Sequence, residues 1–393
     1  MNHHMRHIFI SAALAAGLLG FTAPAQAGEG RQDNAWLLAV SANSGSWSAS
    51  GLENKGSQTV EYLQLSRQDT WWGFAVTGKY VNTSYTNQTG GGKLDINSPT
   101  QTNIATYLYH EAGRATFKAG VDLDLPTGKN SYTDLEIEQL VTDALAEDLM
   151  LINSYGEGQN IIPHALAALA VSDSLSMGLG VKYEITGKYD ITEDTQGDEL
   201  DPGDRMFAMA NAAFRLSEGN HLIFTVTYAS ATEDKQAGSP VYKQGALTAV
   251  EARWMGAASS GATIIVSAAM KQQGKNETLG EGNKLSPEVV NSNNNATQFF
   301  AAGAYPFSRA LAVTAMAGYK SVSANGYEAD NPMFDGGRTA LFIEPGVRWS
   351  PKETMYITLK GRYASISDKR DSFSAKDTSY TATNIDLGLA WEF

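Results

Sequence analysis

Apolar residues stand at every second position through most of this chain, and that period limits the fold more than any other feature. From Ala115, one face reads Ala115, Phe117, Ala119, Val121, Leu123 and Leu125, while the other reads Thr116, Lys118, Gly120, Asp122 and Asp124. Met177, Leu179, Val181, Tyr183 and Ile185 alternate with Gly178, Gly180, Lys182, Glu184 and Thr186. Leu341, Ile343, Pro345, Val347 and Trp349 alternate with Phe342, Glu344, Gly346 and Arg348. A period of two describes extended strands with one apolar and one polar face. After Ala27, polar residues break every apolar run within a few positions, well short of the roughly 20 apolar residues of a membrane-spanning helix. Helices and closed barrels are the two ways to satisfy every backbone group in lipid. If this chain enters a membrane, it therefore does so as a closed barrel.

The first 27 residues have another layout. Arg6 with His3, His4 and His7 precedes an apolar run from Ile8 to Phe21, and Ala25-Gln26-Ala27 follows. This is the pattern of a secretory signal peptide with its A-x-A cleavage site. The expected division is signal peptide 1–27 and barrel domain 28–393. The chain has no cysteine, hence no disulfide, thiolate metal site or covalent haem attachment. Its net charge of −13 argues against nucleic acid as a partner.

Turns and loops alternate in length. Tight turns are expected at Gln68-Asp69, Glu111–Gly113, Ser172-Asp173, Glu218-Gly219, Ser259–Gly261, Phe307-Ser308 and Pro351-Lys352. Longer polar loops fall near 48–56, 84–98, 126–159, 192–203, 231–242, 272–295, 324–337 and 368–379. Short turns at one end and long loops at the other imply an all-β, antiparallel, up-and-down transmembrane barrel of about 16 strands. The alternation slips near 57–67, 99–110 and 158–171, where Val60 and Tyr62 disagree in phase with Leu63 and Leu65. Loss of one hairpin there would leave about 14 strands. On this assignment Trp71, Trp72, Trp254, Trp349, Trp391 and Phe393 mark the periplasmic ends, and Tyr80, Tyr189, Tyr228, Tyr319 and Tyr363 the external ends. These are the two aromatic girdles expected where rings meet lipid headgroups.

The last strand carries Ile385, Leu387, Leu389, Trp391 and Phe393 on one face. An alternating final strand with a terminal Phe resembles the assembly signal of Gram-negative outer-membrane barrels. That resemblance implies a bacterial outer-membrane, porin-like protein whose partners are lipid, lipopolysaccharide and, during biogenesis, the barrel-assembly machinery. Leu125-Pro126-Thr127-Gly128 weakly resembles a strand-end motif of phenol-degradation-pathway transporter barrels.

A barrel of 16–18 strands leaves an aqueous lumen unless something fills it. The first strand is expected near Ala35, too soon after the cleavage site for an N-terminal plug. The third long loop, 126–159, is the candidate obstruction. Thr133-x-x-Glu136 is a capping box, and Ile137, Leu140, Val141, Ala144, Leu145 and Leu149 follow at helical spacing. Its polar face carries Asp134, Glu138, Asp143, Glu147 and Asp148, the expected pore constriction. Inward-folding third loops of general porins are similar, and acids there favour cations. The expected lumen wall carries Lys118, Asp122, Asp124, Lys182, Glu184, Arg205, Arg215, Glu251, Arg253, Glu344, Arg348, Lys360, Arg362 and Asp386. Most of these charges are expected to pair with one another.

Asp194, Asp198, Glu199 and Asp201 lie within the acidic stretch 190–204, whose oxygens suit Ca²⁺ but lack EF-hand spacing. A solvated loop is the plainer expectation, and no other cofactor is implied. No phosphate loop, H-E-x-x-H or nucleophile elbow occurs, and His110, His164 and His221 read as wall or girdle residues, so no enzyme is expected. Two functions remain. One is passive diffusion of small solutes, with weak cation preference. The other is a sheath that anchors an electron-transfer or other partner protein. A homo-oligomer or periplasmic partner fits either.

Overall fold

The computed structural model describes residues 35–50, 54–87, 92–133, 136, 146–152, 154–192, 199–280, 282, 284–369 and 376–393. The signal-peptide stretch 1–27 lies outside them. In the first half of the wall run β1 (Trp36–Ala49), β2 (Lys55–Gln68), β3 (Trp72–Asn87), β4 (Gly92–Pro99), β5 (Thr102–Ala112) and β6 (Ala115–Leu125). A helical turn, α1 (Ala146–Leu149), precedes β7 (Asn160–Ala170) and β8 (Leu175–Glu184). Then come β9 (Tyr189–Asp190), β10 (Glu199–Asp201), β11 (Arg205–Ser217), β12 (Asn220–Ala231), β13 (Glu233–Gln236), β14 (Ser239–Lys243), β15 (Leu247–Ala257) and β16 (Thr263–Gln273). The chain ends with β17 (Glu277–Leu279), β18 (Leu285–Pro287), β19 (Ala296–Pro306), β20 (Leu311–Val322), β21 (Arg338–Lys352), β22 (Met355–Asp368) and β23 (Thr378–Glu392).

Every pairing in the wall is antiparallel, and β23 closes on β1 from Leu37–Glu392 to Ala49–Tyr380. The principal sheet has 17 strands. Because β4 pairs the outer half of β3 and β5 its inner half, those two form one interrupted stave, and the closed barrel has 16 staves. Pro99 ends β4, where its missing N–H costs no ladder bond. Thr100 N–H then donates to Lys79 O at 2.9 Å, and the chain resumes its pairing in β5 with the opposite phase.

Two of the three expected slips resolve in the structure. The one at 99–110 is this interruption. The one in β2 is no slip. Leu63 faces outward and is 54% exposed, while Val60 faces the lumen and is 8% exposed, so alternation is intact. Val60 is apolar because a segment of the chain packs on it from inside the barrel. Alternation also continues through the tight turns, where Gly113 (φ 64°) and Gly219 (φ 71°) adopt the left-handed conformation that favours glycine. The last turn lies two residues beyond the expected Pro351-Lys352, between Lys352 and Met355.

Outward-facing side chains form one apolar band. Met177, Leu179, Val181, Phe224, Val226, Leu341, Ile343, Ile385 and Leu387 are all exposed on it. In water such a surface would be unsustainable for a monomer; in lipid it is the correct solvent. Trp71, Trp349, Trp391 and Phe393 are exposed at the periplasmic rim, with Trp72 and Trp254 half-buried there. Tyr80, Tyr228, Tyr319 and Tyr363 are exposed near the external rim. Tyr189 departs from expectation. It is buried in β9 beside Tyr132 and Leu200, part of a second sheet, β18-β17-β14-β13-β10-β9, that the external loops form above the wall. Polar loops concealed these short strands because each spans five residues or fewer.

The band's solvent dictates its tolerance. Leu387→Arg puts a cation on the lipid face mid-strand and is expected to cost about 2–4 kcal/mol, whereas Asp386→Asn, one residue away on the lumen face, should cost well under ~1 kcal/mol. Urea unfolding of the protein refolded into lipid vesicles reads both.

Candidate functional site

The described residues of the segment between β6 and β7, namely 126–133, 136, 146–152 and 154–159, lie against the inner face of the wall. The segment leaves the wall at Leu125, where Thr127 Oγ1 donates to Thr100 O at 2.8 Å and Ser98 Oγ accepts from Lys129 N–H at 3.1 Å. Tyr132 N–H donates to Ile191 O at 2.9 Å, tying the segment to the next external loop. The capping box forms as expected: Thr133 N–H donates to Glu136 Oε2 at 2.9 Å and Glu136 N–H to Thr133 Oγ1 at 3.3 Å. Lys129 Nζ adds an ion pair to Glu136 at 3.1 Å. Glu136 and Ala146–Leu149 are helical. Asp134, Glu138 and Asp143 lie outside the described residues, as does the side chain of Glu147.

Asp148 is the expected constriction residue that the structure does place. Its carboxylate meets Lys320 Nζ of β20 at 2.7 Å and pairs with Arg338 Nε of β21. β20 and β21 are the thirteenth and fourteenth staves, and the segment departs from the fifth and returns at the sixth. Eight staves is half the circumference, so Asp148 docks on the wall opposite its own root. Leu149 and Met150, each 6% exposed, pack with Tyr155 into an apolar cluster with lumen-facing Trp47, Val60, Val81, Tyr85, Phe342 and Ile366. Gln58 of β2 clamps the backbone of Ile152, accepting its N–H at 3.0 Å and donating to its carbonyl at 2.7 Å. Tyr155 hydroxyl donates to Thr83 Oγ1. Finally Glu157 Oε2 accepts from Arg205 Nη2 at 3.0 Å, and Glu184 Oε1 lies 3.5 Å from the same nitrogen.

The electrostatics corrects one expectation. Burial by itself would raise the Asp148 carboxyl, but Arg338 and Lys320 outweigh it and hold it at about 2. Asp148 is thus an anchored, compensated anion instead of a free acid in a water path. Burial pushes the Glu157 carboxyl up, against the pull of Arg205. Removing one member of a buried pair costs about 3–5 kcal/mol because the partner is left uncompensated. The returning part of the segment is therefore fixed at Asp148 and Glu157 by charges that cannot be withdrawn separately.

All the expected wall charges face the lumen, most beside a partner. Lys118 Nζ sits 3.7 Å above the Tyr107 ring, and Lys182 Nζ 5.2 Å from the Phe207 ring. Asp122 is 3.7 Å from His164 Nδ1, and Asp124 accepts from Asn103 at 2.8 Å. Arg253 pairs with Glu251 at 2.7 Å, which also accepts from Ser267 at 2.6 Å. Lys360 pairs with Glu344 at 3.6 Å, and Arg362 stacks on Phe342 at 4.2 Å. Arg215 lies by the periplasmic turn opposite His221, Asp386 opposite Lys360, and Arg348 is exposed to the lumen. Arg205 and Glu184 differ from the rest: both are buried beneath the inserted segment. Of the acidic external stretch, Glu199 and Asp201 sit 3.1 and 3.8 Å from Lys188, while Asp194 and Asp198 lie outside the described residues. Among the described residues no cluster of three or more metal-ligating side chains occurs.

A closed wall with an apolar outer band, two aromatic rims and a charged interior decides the class. The chain folds as a closed transmembrane β-barrel of the outer-membrane type. No protein-family model matches it, and no curated protein does. Solved structures of similar shape include the Pseudomonas putida toluene transporter TodX (12% identity, 96% of this chain and 93% of that one, TM-score 0.44). Pseudomonas aeruginosa OccK7 is 9% identical over 92% of this chain and 100% of that one, with TM-score 0.45. A bacterial polysaccharide outer membrane secretin is 7% identical over 91% and 98%, with TM-score 0.45. None of the three says what this barrel carries.

Sequence reasoning did not find Lys320, Arg338, Gln58, Tyr155 or Glu157. Alternation marks the wall residues among them as lumen-facing, but no spacing links positions 172 or 190 residues apart.

The latch has a pH signature. A carboxyl held below its ordinary 3.8 favours the docked state above that value and loses the advantage as pH falls through about 2. Hydrogen-exchange protection of residues 146–152 is expected to persist from neutral pH to about 4 and to fall between about 4 and 2. Asp148→Asn should lower protection already at neutral pH, by up to the ~3–5 kcal/mol of a broken buried pair, and remove that acid step.

Proposed function

We propose that this barrel is a passive diffusion channel for small solutes, and that segment 126–159 sets its bore. The observation that carries the reading is the transverse docking of Asp148 on Lys320 and Arg338, half a circumference from the segment's root. Gln58, Thr83 and Arg205 pin the returning chain on two further parts of the wall. A wall of 16 staves is too wide for its own side chains to fill, and charged residues such as Arg348, Lys360 and Glu344 lie inward of the segment, where water must solvate them.

Ion preference then depends on the carboxylates not consumed by docking. Asp148 is compensated, so the weak cation preference we propose rests on Asp134, Glu138, Asp143 and Glu147. A barrel that sheathed an electron-transfer protein in its lumen would have to expel a segment held by two buried charge clusters, which favours the channel reading.

Planar-bilayer recording of the purified protein tests this. Stable open channels are expected. Deleting Asp134–Asp148 should raise single-channel conductance several-fold and abolish the cation preference. Unchanged conductance and selectivity would sink the constriction, and absence of any conductance in both proteins would sink the channel.

A further inference from the structure

One cation in the apolar band is out of place. Arg67, near the periplasmic end of β2, pairs laterally with Trp36 and Phe74, so it shares their outward face. Its guanidinium carbon lies 5.6 Å from the Trp36 ring centroid and 5.6 Å from that of Trp72. Among the described residues it makes no ion pair, and its Nε is buried without a hydrogen-bond partner. The row continues across the closure seam, where Trp36 and Phe393 exchange backbone hydrogen bonds at 3.0 Å. An arginine on the lipid face costs least at the interface, where its charge reaches the headgroups.

We propose that Arg67, held between Trp36 and Trp72, binds the phosphate of a glycerophospholipid of the periplasmic leaflet. The two rings fix the guanidinium plane and cover its faces, leaving the terminal N–H groups to meet an anion at the rim. A planar fork of donors suits a phosphate diester. The site lies at the foot of an apolar strip. Leu65 with Leu38 and Val76, then Leu63 with Val40, step from Arg67 toward the mid-plane. Acyl chains of a lipid whose phosphate sat on Arg67 would lie along that strip, which a free phosphate would leave uncovered. Occupation would tie the first and last strands' seam to the membrane at a fixed depth.

Native mass spectrometry of the full chain, released from mixed micelles containing dioleoylphosphatidylglycerol, tests the assignment. The unmodified barrel is expected to retain a lipid that added inorganic phosphate does not displace. Arg67→Gln should weaken retention about ten- to a hundredfold, the worth of a charge-assisted hydrogen-bonded pair. Trp72→Leu should weaken it less, while Lys55→Gln at the external rim should leave it unchanged. Equal retention by Arg67→Gln and the unmodified barrel would overturn the proposal. So would a wild-type barrel that keeps no lipid, or lipid exchanged by phosphate alone; these two results need no variant to fold.

Discussion

Unpaired backbone groups are intolerable in hydrocarbon, and the rest of this structure follows from that. Each of 16 staves has a paired neighbour on both sides, and β23 meets β1 along thirteen register positions so that the wall closes on itself. Closure then forces two consequences. The outer face must be apolar, since a cation there costs about 2–4 kcal/mol at mid-depth. The inner face is left too far from its opposite wall to pack, so it is either wet or covered by additional chain.

Toward the external ends, Leu149, Met150 and Tyr155 of the segment between β6 and β7 sit on an apolar lining that includes Trp47, Val81, Phe342 and Ile366. The inner half of the lumen wall keeps ion pairs and cation–π contacts such as Lys360–Glu344 and Lys118–Tyr107. The lining changes character with what it faces: apolar residues pack on the described residues of the segment, and charged residues elsewhere pair with one another or with rings. Trp47 is a useful marker, since lumen-facing tryptophan has no place in an aqueous wall, and Gly56 leaves the room its ring needs.

Much of this was legible beforehand. The wall assignment of Asp122, Lys182, Arg253 and Arg362 followed from phase alone, and the Thr133–Glu136 capping box formed as written. What misled was treating every irregularity as a flaw in a strand. The apolar lumen residue Val60 was a docking surface, and Tyr189 belonged to a second sheet instead of a girdle. Asp148 read as a pore acid because spacing gives a helix face but not what lies opposite it.

Local alternation therefore determined the fold class and the side of the wall on which most residues stand, because those depend on a period of two within about a dozen neighbouring positions, whereas the choice between 16 and 14 staves stayed open until the pairing was seen. Which distant groups meet depended on closure. Asp148 with Arg338, Gln58 with Ile152, and Arg67 between Trp36 and Trp72 come together only when the sheet curves through a full turn and its interior receives the segment. Side-chain period is a property of the strand, whereas contact across a lumen is a property of the ring.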